Sequence, residues 1–436
     1  MIFTNIKNRI RYLREHHFVR KVAVLQAGSF GSSIVSGLAG ILMARILQPQ
    51  LYGVYSLAFG LASLLVLIIS LGVQDSAAAL LGKTYARGDH EETREVVFFL
   101  AKVTLLIACL SVLAVLAAPF LSAHFYHNRD IGFYAGLLVI ASLVSFTWFT
   151  FSTLALQVSG KIKQMSLLGF ADQTTRSTCT VLFALAGFGI AGALYGNLID
   201  AGIIFIVSFI AWKRVQRSLP IFPSISEFGG FLKAPLRKYL RFSLWVALDK
   251  NIATLYSILP ILMIGLYVST ADVTYFKISF AYMNLALSFM GPISTLLAVQ
   301  FPQMHASGHT GLRSNFVRVS LYSLLLSAIL TAGAVAISPV ALRILYGHSF
   351  LPGLKYVFGF FIYGALLGIG VGLGPMWRAI NKVHVSILIN TIVLVIGIPS
   401  GLYLIHHWGI WGAVIMVTSW FTISHLISFF YLLGHL

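Results

Sequence analysis

Apolar runs too numerous for any water-soluble core recur along this chain of 436 residues. Hydrophobic residues make up 58% of it and charged residues only 10%, whereas a soluble domain carries about 25% charge. The pattern predicts an all-α polytopic membrane protein of twelve spans, at 22–47, 53–80, 96–118, 131–155, 165–187, 190–212, 242–267, 273–299, 316–337, 354–377, 384–405 and 409–433. Each is long enough to cross a hydrocarbon core of about 30 Å at about 1.5 Å per residue.

A formal net charge of +18 would suit a nucleic-acid partner, but its placement argues against one. With the N-terminus taken as cytoplasmic, 22 of the 30 Lys and Arg fall on that side of the predicted spans. Four (Arg45, Arg129, Arg343, Lys355) fall on the other side, and four (Lys102, Arg176, Lys250, Lys277) within spans. This is the positive-inside bias, which places both termini in the cytoplasm and sets basic loops beside anionic lipid. Residues 1–21 form a basic cytoplasmic segment in which Ile2, Phe3, Ile6, Ile10 and Leu13 have the spacing of a helix lying on the inner leaflet, or of a frayed tail. It lacks the continuous apolar core of a cleavable signal.

The two halves echo each other. Tyr85-Ala-Arg-Gly88 matches His305-Ala-Ser-Gly308, Ala118-Pro119 matches Ser338-Pro339, and Phe125-Tyr-His-Asn128 matches Leu345-Tyr-Gly-His348, all at an offset of 220. Gly187-Phe-Gly-Ile-Ala-Gly-Ala193 matches His407-Trp-Gly-Ile-Trp-Gly-Ala413 at the same offset, and Gly160-Lys-Ile-Lys163 matches Asn381-Lys-Val-His384 at 221. Six spans per repeat return the chain to the side it started from, so the repeats share one orientation and relate by an axis along the membrane normal. The expected organisation is an N-lobe at 22–212, a basic linker at 213–241 with Pro220, Pro223, Pro235 and Gly229-Gly230, and a C-lobe at 242–436. Two six-helix lobes favour alternating access around a central cavity.

Enzyme signatures are missing, and the chain is expected not to be an enzyme. Gly82-Lys83-Thr84 looks like the end of a phosphate loop, but Ala77 stands where the earlier glycine belongs and no strand precedes it. The pairs His16/His17, His124/His127 and His406/His407 lie near interfaces without a carboxylate at ligand spacing, and Cys109 and Cys179 lie within spans. No metal site is expected. The outer loops are short, the longest at about 119–130 and 338–353, which leaves a glycan polymerase little room for chemistry.

Charges inside spans are costly and are functional candidates by default. Asp172 and Arg176 stand at i and i+4, on one face of the fifth span. They form either a structural ion pair or part of a polar path. Asp200, near the centre of the sixth span, has no partner on its own helix, so it needs one from another helix or a wet cavity. Asp249-Lys250 lies about one third into the seventh span; Asp75 marks the inner end of the second. Arg45, Lys102, Lys277 and Arg378 lie close enough to span ends to snorkel to headgroups. The run Gly364-Ala-Leu-Leu-Gly368-Ile-Gly370-Val-Gly372-Leu-Gly374-Pro375 either packs densely or unwinds where it lines a cavity.

Ala44-Arg45-Ile-Leu47-Gln-Pro49-Gln-Leu-Tyr52-Gly53-Val-Tyr55-Ser-Leu-Ala58 resembles the turn between the first two helices of bacterial polysaccharide exporters. These are the lipid-linked oligosaccharide flippases, O-antigen flippases among them, of the multidrug/oligosaccharidyl-lipid/polysaccharide (MOP) superfamily. Gln48 replaces their usual glycine, and the second-half equivalent Val268-Ser-Thr-Ala-Asp272-Val-Thr-Tyr275-Phe276 lacks the Gly-Pro. Length, span number, repeat and basic central loop fit over the whole chain. The resemblance implies translocation of a polyprenyl-diphosphate-linked oligosaccharide from the cytoplasmic to the outer leaflet of the bacterial cytoplasmic membrane. Membrane lipids and other polysaccharide-assembly proteins would be its partners. Arg176, Lys250 and Arg45 would neutralise the diphosphate. Asp172, Asp200 and Asp249 would carry cavity charge or couple transport to H⁺ or Na⁺, with no other cofactor. A cation-coupled multidrug antiporter of the same superfamily and a membrane glycan polymerase are the alternatives.

Overall fold

A computed structural model describes residues 17–70, 73–306 and 311–436. The expected helix within residues 1–16 lies outside them, as does Gly308 of the first repeat match. The side chains of Asp75, Asp249 and Lys250 also lie outside what is described. The described residues are almost all helical, joined by short turns and without a strand.

Among the described residues, eight helical segments are long and apolar enough to cross a membrane. Nine are, if His348–Gly359 and Phe361–Ala379, bent by 53°, count as one span. Two of the eight are double. Val24–Ile69 breaks at Gln48 and Ile162–Ser218 breaks at Gly187, so each supplies two spans. With the shorter apolar stretch Asn251–Ile264, these segments account for the twelve expected spans. This is a multi-pass membrane protein.

In chain order the α-helices are α1 (His17–Ser70), α2 (Val73–Arg87), α3 (His90–Tyr126), α4 (Arg129–Val158), α5 (Ile162–Phe183), α6 (Gly189–Ser218), α7 (Leu236–Ile264), α8 (Thr270–Leu287), α9 (Gly291–Ala306), α10 (Leu312–Leu345), α11 (Leu354–Gly359), α12 (Phe361–Leu367), α13 (Leu373–Ala379), α14 (Val383–Trp408) and α15 (Ile410–His435). They fall into two compact units. Unit 1 comprises Met1–Ile46 and Ala62–Leu248, and unit 2 comprises Leu47–Leu61 and Asp249–Leu436. Residues 47–61 therefore group with the second half of the chain rather than with the lobe expected at 22–212.

The repeat is visible in the backbone. Gly189 has φ 54 and ψ −128, and Gly409, 220 residues later, has φ 53 and ψ −129. Both open a helix whose next glycine packs against the helix before it. A side chain on Gly192 would strike the Phe183 carbonyl, and one on Gly412 the Leu404 carbonyl. Gly160 and Asn381, matched at 221, both have positive φ, as do His127 and Gly347 at 220. These left-handed positions end helices and reverse the chain.

The segment expected as a linker is packed onto unit 1. Lys102 on α3 donates to the carbonyls of Leu232 and Ala234 at 2.7 and 3.1 Å. It does not snorkel to headgroups, because two carbonyls of the 3₁₀ segment Ile225–Lys233 and its cap hold it. Lys238 pairs with Glu95 at 2.7 Å and Arg94 with Glu227 at 3.4 Å. Phe228 packs edge-on against Trp148, Phe151 and Trp212, with ring centres 5.6, 5.7 and 6.0 Å away.

The glycine run both packs and unwinds. Residues Gly368–Gly372 adopt a 3₁₀ turn between α12 and α13. A side chain at Gly364 would meet Thr331, and one at Gly368 the Ser323 carbonyl.

The break in α1 explains the turn motif. Pro49 has no N–H and restricts the residue before it. Gln48 stands at φ 59 and ψ 168, a region that favours glycine. Within unit 2, Thr274 donates to the Pro49 carbonyl at 2.6 Å, and a Cβ on Gly53 would collide with the Thr270 carbonyl. Gln48→Gly should raise the unfolding midpoint, by relief of about 1 kcal/mol of strain. Gly53→Ala should lower it by more. Thermal unfolding of the purified protein in one detergent checks both signs.

Candidate functional site

The fifth and sixth spans meet because of their turn. Gly187 (φ 93) and Gly189 (φ 54) reverse the chain, and Gly192 and Gly196 let α6 press on the backbone of α5 at Phe183 and Cys179. Arg176 lies eleven residues before Gly187 and Asp200 eleven after Gly189. Each is therefore about 16 Å from the turn, and at that shared depth they meet. Arg176 Nε donates to Asp200 Oδ2 at 3.3 Å, and its Nη2 to both Asp172 oxygens at 2.9 Å. Ser145 on α4 reaches Asp172 Oδ1 at 3.5 Å.

The three side chains differ in access. Asp200 is 2% exposed, Asp172 14% and Arg176 32%. Asp200 Oδ1 is buried without a hydrogen-bond partner among the described residues. Asp200, which needed a partner from another helix, finds it in Arg176. With all three ionised the cluster carries one net negative charge. The guanidinium spends Nε and Nη2 on carboxylates, while Nη1 has no hydrogen bond among the described residues, so its two donors remain for a ligand.

Unit 2 holds a different charge. Lys277 on α8 was expected to snorkel. Instead Nζ donates to Ser56 Oγ at 2.9 Å and lies 4.8 Å from the centre of the Tyr52 ring. Ser56 stands seven residues past Pro49, and Lys277 seven past Thr270. The amine is thus held at depth by a neighbour reached through the Pro49 turn. No described carboxylate pairs with it. Its position eight residues beyond the Ser269 cap, about 12 Å in, was the one signal of this in the sequence.

Of the other sequence candidates, Arg45 and Arg378 are exposed, and the described side chains do not extend to Asp249 and Lys250. The structure thus brings Asp172, Arg176 and Asp200 together. Arg45, Asp249 and Lys250 are not drawn into that cluster by any described contact.

The family model described as Polysaccharide biosynthesis protein matches residues 42–354. No curated protein matches the chain in sequence. Solved structures match its fold. The inward-facing conformation of a multidrug resistance MATE family transporter of the MOP superfamily superposes with a TM-score of 0.72 at 13% identity, over 92% of this chain and 94% of the other. The lipid II flippase MurJ in an inward closed conformation gives 0.71 at 15% identity, over 95% and 87%. A MOP superfamily transporter from Pyrococcus furiosus, described by a reversed polarity of its binding pocket, gives 0.63 at 14%, over 96% and 94%. The chain has the fold of these transporters.

Removal of the guanidinium alone should expose the cost of the buried carboxylate. Arg176→Ala is expected to destabilise the protein by about 3 kcal/mol, the size of breaking one partner from a buried pair. Arg176→Ala with Asp200→Asn should recover most of that. Equal melting temperatures for Arg176→Ala and wild type would contradict the pairing.

Proposed function

This chain belongs to the Polysaccharide biosynthesis protein family, and we propose that it is a flippase. It carries a polyprenyl-diphosphate-linked oligosaccharide repeat unit from the cytoplasmic to the outer leaflet by alternating access, for surface polysaccharide. It sits in the bacterial cytoplasmic membrane with both termini in the cytoplasm and catalyses no covalent chemistry.

Lys277 supports this reading most. An ammonium inside a membrane span normally finds a carboxylate, because an unpaired charge there is expensive. This one holds a hydroxyl and a ring, and keeps two N–H donors for an anion. A phosphate accepts charge-assisted hydrogen bonds, the strong class. Within unit 1, Arg176 Nη1 offers two donors of its own, and Arg45 and Lys250 remain candidates for phosphate contacts. A cationic drug gains nothing from Lys277.

The acidic partners suit coupling. Asp200, buried with one oxygen unpartnered, and Asp172 beside it exchange a proton or Na⁺ as Arg176 turns from carboxylate to phosphate. Asp249 is the further candidate on α7. A membrane potential contributes about 2.3 kcal/mol per charge per 100 mV to such a step.

The lipid extract of a strain lacking this protein tests the function. A flippase leaves completed repeat units on polyprenyl diphosphate, inaccessible to an external glycosidase, while surface glycan falls. An unchanged lipid-linked pool with altered drug tolerance would instead identify the antiporter. Single repeat units accessible from outside would identify the polymerase.

A further inference from the structure

The repeat makes the two units comparable position by position, and the charges of unit 1 have no counterpart in unit 2. At the offset of 220, Asp172, Arg176 and Asp200 correspond to Ile392, Ile396 and Trp420. Where unit 1 carries three ions, unit 2 carries two isoleucines and one ring. Trp420 on α15 packs against Tyr256 of α7 at 5.8 Å between ring centres, and Tyr256 against Phe421 at 5.4 Å. Phe421 continues to Tyr363 of α12 at 5.3 Å and to His425 at 5.9 Å.

Two amides border these rings. Asn390 on α14 accepts from Ser424 at 2.6 Å and donates to the Ser386 carbonyl at 2.9 Å. Asn284 on α8 accepts from the Tyr363 hydroxyl at 2.9 Å and donates to the Phe280 carbonyl at 3.0 Å. A carboxamide has two N–H donors and two lone pairs on its oxygen, so each amide retains hydrogen-bonding capacity after these contacts. His425 is half-buried, and neither of its ring nitrogens is hydrogen-bonded among the described residues. Its ring occupies the space that Gly370 leaves, where an added Cβ would stand 2.5 Å from Cε1. Phe421, Asn284 and Asn390 are half-buried as well.

Burying polar groups costs free energy unless they are bonded; the amides are bonded with capacity to spare, and the His425 ring nitrogens have no partner among the described residues. A phosphate site would need cations, and a site for a cationic drug would need a carboxylate; none takes part in the contacts of this cluster. Rings beside neutral donors and acceptors suit one chemistry well. A sugar offers an apolar C–H face to an aromatic ring and hydroxyls that both donate and accept. Specific ligand sites are built in this way, from apolar and aromatic walls with a few placed polar groups.

We propose that the aromatic and amide cluster of unit 2, comprising Tyr256, Asn284, Tyr363, Asn390, Phe421 and His425, binds the sugar rings of the transported lipid. The inference rests on the flippase reading and divides the ligand by chemistry. Sugars are held by the uncharged cluster, and the diphosphate by Lys277 of the same unit.

Binding of two probes to the purified full-length protein in detergent separates the inference from the reading beneath it. The probes are polyprenyl diphosphate and polyprenyl diphosphate carrying an oligosaccharide, measured by thermophoresis. Wild type should bind the glycosylated lipid more tightly by about tenfold, the worth of one or two hydrogen bonds. Asn390→Leu and His425→Leu should each shrink that advantage and leave affinity for the bare diphosphate unchanged. If Asn390→Leu fails to fold, His425→Leu carries the same test from the half-buried edge of the cluster. An advantage that survives in the folded variants, or equal binding of both probes by wild type, overturns the sugar site alone. Wild type that binds neither probe overturns the flippase reading and the sugar site with it.

Discussion

A charge within the hydrocarbon layer must be met by the protein itself, and the polar architecture of this chain follows from how that is done. Two arrangements coexist. In unit 1 a guanidinium lies between two carboxylates, at 2.9 Å from Asp172 and 3.3 Å from Asp200. In unit 2 an ammonium rests on a hydroxyl and a ring. The first supplies its own counter-charges, with one Asp200 oxygen left unpartnered among the described residues. The second is left short of a counter-charge, which is the condition of a group that handles an anionic ligand.

Both arrangements depend on backbone positions that few residues can occupy. The Gly187–Gly189 turn, with Gly192 and Gly196 beyond it, sets α5 and α6 close enough for Arg176 to reach Asp200. The Gln48–Pro49 break, with Gly53 against the Thr270 carbonyl, brings Tyr52 and Ser56 to Lys277. The same backbone at Gly189 and Gly409 shows the hairpin used twice. In the second copy the three charges are replaced by two isoleucines and a tryptophan, so the same hairpin carries ions in one unit and none at those positions in the other.

The spans and the repeat were legible in the sequence because they are written in period and spacing. Each hydrophobic run is complete within its own segment, and each matched turn carries its own glycine or asparagine. The meeting of Asp172 with Arg176 was also local, one helical turn apart. The meeting of Arg176 with Asp200 was legible as a need, since Asp200 had no partner on its own helix, and the Gly187–Gly189 turn supplies it. Lys102 and Lys277 were misjudged for the opposite reason. Their partners lie 130 and 221 residues away, and side-chain direction at a span end is set by such neighbours rather than by depth alone. The importance of position 48 was visible only as a departure from a glycine. Its backbone angle supplies the reason a glycine belongs there.

The central claim is that Lys277 meets the phosphates of a lipid that crosses the membrane. Purified protein in liposomes that contain a polyprenyl-diphosphate oligosaccharide tests it, with an added glycosidase reporting how much substrate reaches the outer leaflet over time. Wild type should let the accessible fraction climb well past the initial half, Lys277→Arg should retain part of that rate, and Lys277→Met should match protein-free liposomes. Translocation by Lys277→Met at the wild-type rate would contradict the account.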